Sequence, residues 1–271
     1  MKDISPDWFE TCVSQLTNTG TQRVWSVLVT IFGDLAPSGS DRVSGSLITA
    51  LTSLAGIKSE ATRVALHRLR KEGWIDSTRV GRTSVHRLTD FGRSQSAAAA
   101  PRIYSRETDK PDIWHVLIAS GSESSRKELS DLMLIGDYIS VNASTAMAPG
   151  PAPDGLEDLL GIESSAISVP DWMRDLCGPE PLKDAYSQFW TTLQFVEHHL
   201  PTKGMEDPLQ TAVLRVLIVH GWRRLILRHP PLPPAFLPED WKGAECRQSV
   251  VQLLGRLPRP ILASLEAVLD D

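Results

Sequence analysis

Between Ser59 and Lys71 the chain reads SEATRVALHRLRK, in which Ser59, Arg63, His67 and Arg70 recur at helical spacing with Lys71 at the edge of the same arc. Guanidinium, imidazole and ammonium groups aligned on one helix face donate hydrogen bonds to phosphates and base edges, so the chemistry they suit is recognition of a polyanion. Ala61, Val64, Ala65 and Leu69 share another arc and are expected to bury. Ser59 is expected to cap the helix and leave free backbone N–H groups near a phosphate. Arg68 falls among the apolar positions and is expected to snorkel or to pair with an acid. An ordinary amphipathic surface helix has the same periodicity, so the residues that follow it carry the distinction.

Those residues form a second basic element. Trp74-Ile75 opens an extended segment, Val80-Gly81-Arg82 supplies a turn with the freedom of Gly, and Thr83 to Leu88 returns. Arg79 and Arg82 are expected at its tip, with Thr83 beside them as a phosphate donor. From residue 57 to 93 there are nine Lys or Arg against four Asp or Glu, an excess of +5 in a chain whose net charge is -5. A localised patch of this kind meets nucleic acid whatever the total charge. A basic-faced helix followed directly by a basic-tipped hairpin reads as the recognition helix and wing of a winged helix-turn-helix domain binding double-stranded DNA, with Arg63 or His67 approaching base edges.

The elements needed to position this pair precede it. Thr21 to Phe32 is an apolar helix, Gly33–Gly45 reads as a loop, and Ser46 to Leu54 is a short helix that Ala55-Gly56 turns into the basic one. Upstream, Pro6 to Leu16 reads as a leading helix, packed on its own domain or clasping a partner subunit. Downstream, a helix from Thr89 through Ala100 is expected to end at Pro101.

The segments RVWSVLVTIFGDLAPSG, GSLITALTSLAGIKSEATRVALHRLRKEGWI and GRTSVHRLTDFGR resemble the PaaX family of bacterial transcriptional repressors of phenylacetic acid catabolism. The resemblance continues through LRVLIVHGWRRLILRHPPLPPAFLPEDWKGAECRQSVVQLL, so it covers nearly the whole chain. It implies an α+β multidomain homodimer: a winged helix-turn-helix head over 1–100, a ferredoxin-like, Cas2-like middle domain over 101–173, and a helical domain over 174–271 for effector binding and dimerisation. It also implies release from DNA by an aryl-acyl coenzyme A, typically phenylacetyl coenzyme A. The stretch GDYISVNASTAMAPG departs from the more hydrophobic, Trp-bearing strand of relatives. Asp112 and Asp137 are isolated acids and supply no nuclease site.

Beyond the head, Ile113 to Ala119, Gly136 to Ser144 and Ala166 to Val169 read as strands, with a helix from Arg126 to Leu134. Leu182 to Leu200, Pro208 to Arg228, Ala244 to Leu257 and Pro260 to Leu269 read as helices, and Pro230–Pro238 as an extended connection. Arg215, Arg223, Arg224 and Arg228 lie along one segment and suit the phosphates of a coenzyme A, or else salt bridges to acids. His198, His199, His220 and His229 have no spacing specific for a metal. Cys12, Cys177 and Cys246 are too few and too scattered for a disulfide framework, which points to a reducing cytoplasm. No apolar run is long enough to span a bilayer. No nucleophile elbow or Gly-rich phosphate loop is present, so neither an enzyme nor a cofactor is expected. The alternative is an interaction scaffold that has lost DNA or effector binding.

Overall fold

The computed structural model describes residues 8–18, 23–81, 83–106, 111–201 and 207–270. Among them the fold is α+β, with eleven α-helices, one 3-10 turn and two small antiparallel sheets. Contacts divide the chain into two compact units, one within 1–106, 187–224 and 243–271, the other within 107–186 and 225–242. Residues 174–271, expected as one helical domain, therefore contribute to both units, with the divisions falling inside α8 (Glu180–His199) and α9 (Pro208–Ile226).

In the first unit α1 (Trp8–Thr17) buries Phe9, Cys12, Val13 and Leu16 within the single chain, without a partner subunit. Next come α2 (Val24–Leu35), β1 (Val43–Ser44), α3 (Gly45–Leu54), α4 (Ser59–Lys71), β2 (Ile75–Val80), β3 (Thr83–Leu88) and α5 (Asp90–Tyr104). The strands run β1-β3-β2, so part of the expected Gly33–Gly45 loop is a short strand that pairs Val43 with His86. α5 does not stop at Pro101. Although Pro supplies no N–H, the last turn is held from outside, because the Ile103 carbonyl accepts from Trp222 Nε1 and the Tyr104 hydroxyl donates to Asp34.

Both turns around α4 have one design. Gly56 (φ 75°) and Gly73 (φ 75°) end α3 and α4 in the left-handed region, and the N–H groups of Ile57 and Trp74 reach back to the carbonyls of Thr52 and Leu69. This closes orphan carbonyls that a residue with a Cβ would reach only under strain. α5 then starts hard against this junction. Thr89 Oγ1 donates to the Gly73 carbonyl and accepts from Gly92 N, and a Cβ on Gly92 would stand 2.3 Å from the Trp74 carbonyl oxygen.

The parts of α8 and α9 within 187–224, with α10 (Gly243–Arg256) and α11 (Leu262–Asp270), supply the rest of this unit. Ser26, Thr30 and Asp34 form a stripe on α2 that meets Arg223, His220 and Arg215 of α9 in antiparallel order. Arg215 is 7% exposed; its Nε and Nη2 donate to the two Asp34 oxygens at 2.7 and 2.9 Å, and Nη1 donates to the Leu257 carbonyl. α11 also binds the head, since Glu266 accepts from the backbone N and hydroxyl of Ser44, the residue that caps α3.

In the second unit β4 (Trp114–Ala119), α6 (Glu123–Ile135), β5 (Ile139–Asn142), β6 (Thr145–Pro149) and β7 (Leu159–Ser164) form a sheet in the order β5-β6-β4-β7. The atypical stretch GDYISVNASTAMAPG makes the β5–β6 hairpin, in which Ala146, Met147 and Ala148 are buried. The fourth strand lies at 159–164, not at 166–169, because Leu159 to Ser164 is what pairs along β4; Val169 instead packs into the apolar cluster on one side of the sheet. That cluster joins Trp114, Met147, Met173 and Cys177, the last two from α7 (Asp171–Cys177), to Phe236 in the 3-10 turn Pro234–Phe236 that interrupts the otherwise extended Pro-rich connection. Trp114 and Phe236 stack with centroids 4.6 Å apart. The other cluster sits under α6 around Leu117, Leu129 and Leu159.

Candidate nucleic-acid interface

α4 is held by its inward stripe. Thr62, Ala65 and Leu69 are buried, and Thr62 Oγ1 donates to Thr52 Oγ1 of α3 at 3.1 Å. That hydroxyl pair rotates the helix relative to the purely apolar arc, so Val64, expected inside, is 62% exposed. Ser59 does not cap the helix. Lys58 is the N-cap residue, with extended backbone and its carbonyl accepting from Thr62 N, which makes Ser59 the first helical residue. Lys58 is thus an exposed cation at the helix start that the sequence reading passed over; the one-residue shift of the cap is what hid it.

Arg63, His67, Arg70 and Lys71 are all exposed, and Arg63 makes a 3.3 Å contact with Glu60 one turn back. So exposed a pair contributes little to stability and is readily exchanged for another anion. Arg68 behaves as its position implied: its Nε donates to Glu72 at 2.7 Å and its guanidinium stacks over Trp25 at 5.0 Å.

The hairpin beside α4 is regular. Ile75 pairs with Leu88 and Val80 with Thr83, and Gly81, which follows Val80, has φ 62°. Arg79 and Thr83 are exposed near this tip, and Arg79 Nε donates to the Gly81 carbonyl. Arg82 lies outside the described residues. Under the sheet, His86 bonds Ser77 Oγ at 2.7 Å through Nδ1; burial first, and then the Arg70 charge, holds its pKa below the ordinary imidazole value. The hairpin thus buries a hydrogen-bonded histidine, and exposed cations stand near its tip and on α4.

The four arginines expected at an effector phosphate do not share one environment. Arg215 is consumed by Asp34 and the Leu257 carbonyl, because α9 is a core helix of the first unit. Arg223 turns toward Ser26, where burial depresses its pKa. Arg224 is half-buried, and Arg228 is exposed beyond the end of α9. Among the described residues no three His, Cys, Asp or Glu side chains gather as a metal set, and no helix is long and apolar enough to cross a membrane. His199 bonds the Phe195 carbonyl and His229 bonds Tyr186 and the Pro230 carbonyl, which accounts for two of the scattered imidazoles.

Comparison with known proteins agrees with this arrangement. Residues 23–92 match the family described as PaaX-like protein, and residues 179–263 match the PaaX-like protein C-terminal domain. The chain is 27% identical over 274 residues to the transcriptional repressor PaaX of Escherichia coli (strain K12), covering 94% of this chain and 86% of that protein. A solved structure, the uncharacterized protein Rv0674 from Mycobacterium tuberculosis, shares the fold with a TM-score of 0.53 at 20% identity, over 91% of this chain and 98% of that one. The first match spans α2 through the hairpin and the start of α5, and the second spans the helices that close around them. With nearly the full length of a repressor aligned as well, the chain belongs to the PaaX-like family, a family of transcriptional repressors and not of enzymes.

Proposed function

We propose that the chain represses transcription as a homodimer, with α3 and α4 as a helix-turn-helix and β2–β3 as its wing on double-stranded operator DNA. The observation that carries this reading is the placement of Arg63, His67, Arg70 and Lys71 on the exposed face of α4 beside a hairpin tipped by Arg79 and Thr83. Two such helices in a dimer match a roughly twofold operator. Ser59, Lys58 and the wing grip phosphates, while Arg63 or His67 reaches base edges. The second unit is read as ferredoxin-like; its strand order supports this, with a loop over residues 150–158 in place of a second crossover helix.

The effector in this reading is phenylacetyl coenzyme A or a related aryl-acyl coenzyme A, which releases the dimer by preferring a state whose two heads are wrongly spaced. Its support is family membership alone; Arg215 and Arg223 are engaged with Asp34 and Ser26 inside the first unit, so no joint phosphate site is assigned to the arginines of this segment. Selection of fragments from the host genome by the full chain, followed by binding curves at several salt concentrations, tests the DNA role. Retention of a discrete set of fragments with a steep salt dependence is expected. A folded chain that retains no duplex at low salt overturns it and leaves an interaction scaffold.

A further inference from the structure

The exposed surface of α4 contains one apolar side chain that the packing does not use. Glu60, Val64, His67 and Lys71 lie at i, i+4, i+7 and i+11, the outward row opposite the buried stripe of Thr62, Ala65 and Leu69. Val64 is 62% exposed in the middle of this row, with Arg63 and Arg68 on either flank. Val is a poorer helix former than Ala, Lys or Glu at a solvated site, so neither helix propensity nor core packing favours it there. A protein partner would need a broader apolar patch than one side chain ringed by cations. The major groove offers the matching surface: acceptor atoms and phosphates around the isolated apolar 5-methyl group of thymine.

We infer that Val64 is a specificity-determining residue that packs against a thymine methyl in each operator half-site. This rests on the DNA-binding reading above and adds a base preference to it. Arg63 and His67, the side chains before and after Val64 on this surface, donate hydrogen bonds, whereas Val64 excludes water from the methyl and discriminates thymine from cytosine without a hydrogen bond. The Arg63 guanidinium lies toward Glu60, on the N-terminal side of Val64, and Val64 itself is left exposed.

The test uses the full chain and a duplex recovered by genomic selection, in which each thymine is replaced in turn by deoxyuridine, a change that removes the methyl alone. One symmetry-related thymine pair is expected to stand out, with binding about fourfold weaker for each methyl removed, the equivalent of one buried methyl group. Val64→Ala is expected to bind the thymine duplex correspondingly more weakly and to ignore the deoxyuridine change, while Val64→Thr, which keeps a methyl, retains the sensitivity. Because Val64 is not packed, thermal unfolding of Val64→Thr stays near the parent value and that of Val64→Ala at or slightly above it, so weaker binding by either is not a loss of folding. Wild-type protein that binds the duplex but is indifferent to every thymine methyl overturns this inference and leaves DNA recognition by α4 standing, as does equal methyl sensitivity in Val64→Ala. Failure of the wild-type chain to bind any duplex at low salt overturns both.

Discussion

Asp34 on α2 and Arg215 on α9, 181 residues apart, form a buried two-pronged ion pair, with Tyr104 donating to one of the same carboxylate oxygens at 2.7 Å. The pair makes α9 part of the core around which α2 to α5 and the β2–β3 hairpin fold. Removing Arg215 leaves the buried Asp34 with the exposed Arg259 at 3.6 Å as its cation, removing Asp34 leaves a buried guanidinium, and loss of one partner of a buried pair costs roughly 3–5 kcal/mol. Arg215→Met and Asp34→Leu are each expected to lose about that much in urea unfolding, and the double variant to recover most of it. Additive losses in the double-mutant cycle would show that the two residues act independently.

The same packing predicts that a fragment ending at residue 106 does not fold as a free head. Trp222 and His220 are buried in the first unit, where they bond Ile103 of α5 and Thr30 of α2, and their loss exposes those faces. The fragment is expected to lack a cooperative thermal transition; a sharp transition with native helical content would show that the head is autonomous.

Gly92→Ala is expected to destabilise the first unit by about 1–3 kcal/mol, as overpacking does. The new methyl meets a backbone carbonyl, that of Trp74, which has no rotamer through which to retreat. Gly255→Ala, where a Cβ meets nothing within 4 Å, is the control and is expected to be neutral or slightly stabilising. Comparison of denaturation midpoints decides between them.

Stability is expected to fall on acidification from about pH 6.5. His220 is buried against α2, with Nδ1 3.3 Å from Thr30 Oγ1, and burial, followed by the charges of Arg224 and Arg223, pushes its pKa down to about 3. The unfolded chain takes up this proton near the ordinary value of about 6.5 and the folded chain does not. The contribution is therefore complete above pH 6.5 and declines as pH falls toward 3, at up to about 1.4 kcal/mol per pH unit. His220→Leu should flatten the dependence of the urea midpoint on pH in this window, and an unchanged slope would assign the acid sensitivity elsewhere, with His86 the next group to test.

Arg63→Ala is expected to reduce discrimination between operator and scrambled duplex by roughly 1–3 kcal/mol if its guanidinium makes a two-pronged base contact. Arg79→Ala at the hairpin tip should weaken both duplexes alike and lower the salt slope by about one. Equal loss on both duplexes for Arg63→Ala would reassign that residue to the phosphate backbone.

Local chemistry was enough to read the head from the sequence: Gly56, Gly73 and Gly81 punctuate it, the basic arc of α4 stands out against an acidic chain, and the residues around both turns interact within a few positions of one another. What lay beyond that reading depends on partners distant in the chain. Val64 looked inward until the Thr62–Thr52 hydroxyl pair set the rotation of α4, and β1 was too short to show a period of its own without β3 beside it. Pro101 reads as a helix stop because a sequence shows its missing N–H and not the Trp222 and Tyr104 bonds that carry the helix past it. The Arg-rich helix α9 resembles a phosphate binder as a sequence, since a guanidinium looks the same whether it faces solvent or a carboxylate. Only the tertiary structure brings Asp34 to Arg215, because desolvation and the geometry of a two-pronged ion pair depend on which helices enclose it, and no local pattern encodes that enclosure.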